Sequence, residues 1–196
     1  MKKIKLLTLV LCMSVLSFSN TVNAQIDATI SPIGLLFGNF DGGVDFGISE
    51  NMSVEVGLGL QFGNNNITGD TDYKYFGLPI NVFGKYYLNP NNGADKFYVG
   101  AFAKFVTRSY SIDGDNSNNY AEYSNTRFGV GFGLGYKIVS NGGFVFDINF
   151  GAGRAFVDKN KFSDGDESVS IELPGLMVTG KLGIGYRFGG GSRLSK

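Results

Sequence analysis

Eight stretches of this chain alternate apolar and polar-or-bare residues with a period of two, which fits extended strands whose side chains turn to opposite faces. The last is the clearest: Val178, Leu182, Ile184, Tyr186 and Phe188 share one face, and Thr179, Lys181, Gly183, Gly185 and Arg187 the other. The remaining strands are expected as follows. The first runs from Ile26 to Phe37, with a phase slip at Ser31-Pro32, because proline favours an edge or a bulge. Then come the runs through Val44, Phe46 and Ile48, through Val54 to Phe62, and through Phe76 to Val82. Phe97 to Phe105, Phe128 to Ile138 and Phe144 to Phe150 complete the set.

Connections alternate in length. Residues 49–51, 89–95 and 139–143 read as turns, whereas 64–72, 112–122 and 158–168 are longer and rich in Asn, Asp, Ser and Gly. An even number of strands with short turns on one side and long loops on the other predicts an eight-stranded antiparallel up-and-down β-barrel that is transmembrane. Each stripe of about 9–11 residues suffices for a tilted strand to cross a bilayer. The same pattern with opposite faces would make a soluble barrel, and glycine decides between the two. Gly57, Gly59, Gly129, Gly131, Gly133, Gly135, Gly151, Gly153, Gly183 and Gly185 lie on the polar faces. Bare glycine rows make a poor water-facing surface, but inside a narrow barrel they leave room for long side chains of neighbouring strands. The apolar faces, with aromatics near both ends of the segments, then point to lipid.

The N-terminus reads as an export signal. Met1-Lys-Lys-Ile-Lys5 is basic, Leu6 to Phe18 is apolar, and Val22-Asn23-Ala24 ends in the small residue a signal peptidase needs. The expected domains are a cleaved signal peptide over 1–24, an outer-membrane barrel over 25–188 and a flexible tail over 189–196. Cys12 does not read as a lipoprotein site, since Leu11 precedes it where a small residue is wanted. Without 1–24 the chain has no cysteine, and 14 basic residues face 17 acidic ones, net −3. No basic patch argues for nucleic acid.

The inward polar set comprises Asp45, Glu55, Lys85, Lys104, Arg127, Lys137, Asp147, Lys181 and Arg187. Buried charges must be paired or hydrogen-bonded. They are therefore expected to form an ion-paired, hydrated plug, the sharper alternative being a proton- or ion-conducting path. Three loop motifs, Asp70/Asp72, Asp113/Asp115 and Asp164/Asp166 with Glu167, could gather oxygen ligands for Ca²⁺ or Mg²⁺, which could bridge to lipopolysaccharide phosphates. The bland alternative is that Asp, Asn and Gly simply form turns. The Asp113 segment is no EF-hand: Asn118 stands where glycine is required and Ser124 where the bidentate Glu belongs.

The signal peptide, the eight strands and a last strand reading polar-x-Gly-x-x-hydrophobic-x-aromatic at Lys181, Gly183, Tyr186 and Phe188 resemble the small Gram-negative outer-membrane barrels of the OmpA/OmpX-like, "porin family" type. The resemblance covers 25–188 and is one of architecture. It implies the bacterial outer membrane as location, with its lipid and lipopolysaccharide as surroundings. It also implies the barrel assembly machinery as a partner that reads the last strand, and a monomer. Gly189 to Lys196 departs from the family, whose signal is often strictly terminal. Enzymes among outer-membrane barrels resemble one another in using a catalytic histidine, and this chain has no histidine. No enzyme and no cofactor is expected. The leading reading is a non-catalytic structural or surface-interaction protein, with a narrow solute channel or a secretion or assembly accessory as alternatives.

Overall fold

The computed structural model describes residues 25–36, 38–66, 72–113, 120–164, 167–172 and 175–189. The alternating segments form β1 (Ile26–Ser31), β2 (Asn39–Gly47), β3 (Met52–Asn66), β4 (Asp72–Tyr87), β5 (Lys96–Asp113), β6 (Tyr120–Val139), β7 (Phe144–Asp164), β8 (Glu167–Glu172) and β9 (Leu176–Phe188). One helical turn, α1 (Pro32–Leu36), joins β1 to β2. Every ladder is antiparallel, and sequence neighbours pair from β1 through β7. β7 pairs with β9 over Phe144–Arg154 and with β8 over Lys159–Asp164, so β8 and β9 together make the eighth stave. β9 also pairs with β1, from Ile26↔Phe188 to Ile30↔Ile184, which closes the ring.

The registers fix the barrel's width. A walk from Ile26 through Phe46, Val54, Gly84, Ala101, Phe132, Ala152 and Val178 returns to β1 at the level of residue 36, ten residues on. Eight strands with that stagger tilt by about 40° and enclose just enough room for side chains. The faces sort by parity. Outward lie Leu58, Phe76, Phe132 (79% exposed), Phe150, Phe156 and Leu176 among many apolar side chains. Inward lie the glycine rows and nearly all of the buried charge. An apolar outer belt around a polar interior inverts the arrangement of a water-soluble barrel.

The inner glycines are where aromatic rings fit. A Cβ at Gly135 would come within 2.5 Å of the Tyr98 ring, one at Gly131 within 2.7 Å of Phe102, and one at Gly133 within 3.0 Å of Phe83. β4 and β5 thus carry the bulk, and β6 and β7 yield the space. A local fault follows from Pro79, which has no N–H to give. The β3–β4 pairing skips from Leu58↔Ile80 to Gln61↔Gly77 across it.

Two expectations are corrected. The first strand stops at Ser31, and Pro32 opens a helical turn, a position its fixed φ and missing N–H suit. The described ends of the long-loop segments are strand: β3 reaches Asn66, β5 reaches Asp113, and β7 reaches Asp164, while 67–71, 114–119 and 165–166 lie outside the described residues. Polar residues there continue the ladders beyond the apolar belt, because backbone pairing does not depend on an apolar face. The expected signal peptide over 1–24 and the tail beyond Gly189 lie outside the described residues.

The space-filling argument makes a direct prediction. Gly135→Val should destabilise the barrel by about 2 kcal/mol, the range for overpacking. Gly142→Ala, where a Cβ meets nothing nearer than 3.9 Å, should be neutral. Urea unfolding followed by far-ultraviolet circular dichroism measures both.

Candidate functional site

Strand pleating aims one inward residue per two positions at the barrel axis, so charges from strands far apart in sequence meet there. At the short-turn end Arg187 of β9 grips Asp27 of β1 through two bonds, Nε to Oδ1 at 2.6 Å and Nη2 to Oδ2 at 2.8 Å. The remaining donors of Arg187 reach the carbonyls of Asn92 (2.5 Å) and Ala94 (2.9 Å) in the β4–β5 turn. Above it Lys137 bridges Asp27 (2.8 Å) and Asp45 (2.6 Å).

Lys85 forms the centre. Its ammonium donates to Asp45 at 2.9 Å, Glu55 at 2.5 Å and Asp147 at 2.8 Å, and its side chain has no exposed surface. Tyr98 donates to Asp147 at 2.7 Å, Tyr87 to Asp45 at 3.4 Å, and the Lys85 ammonium lies 4.8 Å from the Tyr98 ring centre. Lys181 joins Glu55 to Thr29. Four carboxylates (Asp27, Asp45, Glu55, Asp147) therefore meet four cations (Lys85, Lys137, Lys181, Arg187), and the cluster is neutral. Asp45, Glu55 and Asp147 bring oxygens within 4.8 Å of one another, close enough to hold a metal ion. The Lys85 ammonium takes that place, so the three carboxylates are a cation site already filled from within.

Aromatic bulk adds to this network and caps it. Phe83 and Phe102 stack at 6.1 Å, Phe83 meets Tyr98 edge-on at 6.0 Å, and Ala155 and Met177 are buried in the same cluster. Sequence reasoning passed over Phe83, Tyr87, Tyr98 and Phe102. Their parity with Lys85 and Lys104 was the signal, but an aromatic residue among outward aromatics carries no mark of its face. The plug is therefore part ionic and part apolar.

Beyond the collar the lumen opens toward the long hairpins into a cavity of about 330 Å³ lined by Asn39, Gln61, Tyr75, Arg108 and Tyr110. Arg108 donates to Gln61 at 2.9 Å. Arg127 lies 3.0 Å from Asp158 and donates to the carbonyl of Leu176 at 2.8 Å, and Lys104 donates to that of Val178 at 3.0 Å. Lys104 and Arg127 thus stand apart from the neutral cluster that holds the other seven inward residues read from the sequence.

The loop acids that the structure describes lie on the strand ladders. Asp72 lies in register with Asp113, and Asp164 with Glu167 and Ala121. Asp70, Asp115 and Asp166 lie outside the described residues. In the last strand Gly183 faces inward beside Lys181, while Tyr186 and Phe188 pack at 5.1 Å on the outer face.

The ion network predicts its own failure. Lys85→Met should cost about 3–5 kcal/mol, the range for stranding a buried charge. Millimolar Ca²⁺ should recover part of the loss by occupying the three carboxylates. The shift of the urea midpoint with and without Ca²⁺ reads both effects.

A family model described as "Protein of unknown function (DUF3575)" matches residues 6–188. Nothing among the curated proteins matches. Solved structures similar to this chain include CarO2 of Acinetobacter baumannii, at 12% identity and a TM-score of 0.48 over 86% of this chain and 100% of that one. CarO of Acinetobacter baumannii is similar at 13% identity and a TM-score of 0.44, over 86% of this chain and 98% of the other.

Proposed function

The chain belongs to the DUF3575 family, and we propose that it is a non-catalytic β-barrel of the bacterial outer membrane with a structural or surface-interaction role. The observation that carries this reading is the inversion of faces: large apolar side chains cover the outside while the charges are buried and paired within. An outer belt of exposed Phe, Leu, Ile and Val far exceeds the apolar patch a soluble monomer tolerates. Lipid is the solvent that such a surface fits. The export-like N-terminus and the pattern Lys181, Gly183, Tyr186, Phe188 support delivery to that membrane by the assembly machinery. Lipopolysaccharide then surrounds the outer rim, and the monomer is the working unit.

The plug favours this role over that of a channel. A neutral cluster with each carboxylate held by a cation binds no passing ion without breaking a pair, and the Phe83–Phe102 collar stands above it. The absence of histidine argues against the catalytic sets of barrel enzymes. Purified protein added to planar bilayers should therefore show no stepwise current while migrating as a compact, heat-modifiable band. Phe83→Gly/Phe102→Gly should raise conductance above that baseline. Regular single-channel steps from the unaltered protein would replace this reading with the narrow channel.

A further inference from the structure

The barrel wall is incomplete on one side. β1 ends at Ser31 and its pairing with β9 ends at Ile30↔Ile184, whereas β9 continues to Leu176. Eight residues of β9, on the order of 26 Å of strand at about 3.3 Å per residue, thus have β7 on one side and, among the described residues, no strand on the other. The β9 N–H of Arg187 donates to Gly143 and the Gly175 carbonyl accepts from Ala155, both toward β7. Backbone groups alternate sides along a strand, so those of Leu176, Val178, Gly180 and Leu182 face the gap. Among the described residues the turn α1 stands there, with Gly34 close against Asn39 and Asp41. Ile33 and Leu35 of α1 are exposed beside the exposed Leu176 and Val178 of β9.

Behind this apolar seam stand cations. Arg127 and Lys104 reach across the lumen to the gap-facing carbonyls of Leu176 and Val178. Arg108 lines the cavity above, which Asn39 at the start of β2 also borders. Lys104, Arg108 and Arg127 face Asp41 and Asp158 here, leaving a positive excess that the neutral cluster below does not share. An apolar edge outside and a cationic vestibule inside complement one kind of molecule.

Resting on the membrane reading above, we propose that the seam between α1 and β9 is a lateral portal for a single-chain amphiphile with an anionic head, of the fatty-acid class. The head enters the vestibule and exchanges with the Leu176 and Val178 carbonyls for Arg127 and Lys104. The chain remains across Ile33, Leu35 and Val178 in the surrounding lipid. α1 is suited to yield because it contributes no strand pairing to β9.

The test uses the full chain reconstituted in phosphatidylcholine vesicles and a palmitate carrying a photoactivatable diazirine, with the diazirine analogue of hexadecanol as the neutral probe. Palmitate should label α1 and the Leu176–Leu182 edge, and excess unlabelled palmitate should compete where acetate does not. Lys104→Met/Arg127→Met should lower seam labelling at least tenfold, while Arg154→Gln, on the exposed outer face of β7, should leave it unchanged. Equal seam labelling by the alcohol, loss in Arg154→Gln alone, or no loss in the double variant would overturn the portal. Failure of the protein to float with the vesicles would instead sink the membrane reading.

Discussion

Lys85 is the pivot of the interior. Three carboxylates crowd its ammonium within 2.9 Å, and each attraction is roughly 6 kcal/mol at an effective dielectric near 20. Removing these ions from water costs several kcal/mol apiece, so the pairs hold only as a set. Lys137, Lys181 and Arg187 extend the set until charge balances. Those contacts join β1, β2, β3, β4, β6, β7 and β9, and with Tyr98 from β5 they tie every stave of the wall to one centre. The wall's apolar outside is possible because the charges inside are paired with one another.

Function and packing divide along the barrel axis. The lower lumen is neutral and filled. The upper lumen is open, more basic and bordered by the weakest part of the wall. The glycine rows of β6 and β7 serve the lower half, since they take the rings of Phe83, Tyr98 and Phe102. The cavity lies above that collar, where side chains stop filling the space.

The eight staves were legible in the sequence because period-two alternation survives even where glycine replaces the polar residue. Parity alone also put Lys85, Lys137, Asp147 and Arg187 on one face. It said nothing of who meets whom, since that depends on the stagger of ten residues around the ring. The inner aromatics escaped notice because Phe and Tyr are at home on both faces of such a barrel. The hairpins above the belt read as loops because their Ser, Thr and Asn lack apolar contrast, although the described parts of their backbones pair. Pro32 signalled an interruption without disclosing that the chain would turn into a helix.

The ring also has a kinetic meaning. Every ladder from β1 to β7 joins sequence neighbours, and these hairpins can form as the chain emerges, with little loop to close. β1 with β9 is different: Asp27 and Arg187 lie 160 residues apart. Joining distant segments is the entropically slow part of folding, so the last strand must arrive before the first has its second partner. Until then β1 is a six-residue edge with one neighbour, exposed to pairing with any other strand. The short β1–β9 ladder and the two-pronged Arg187 clasp are where such a barrel stops being an open sheet.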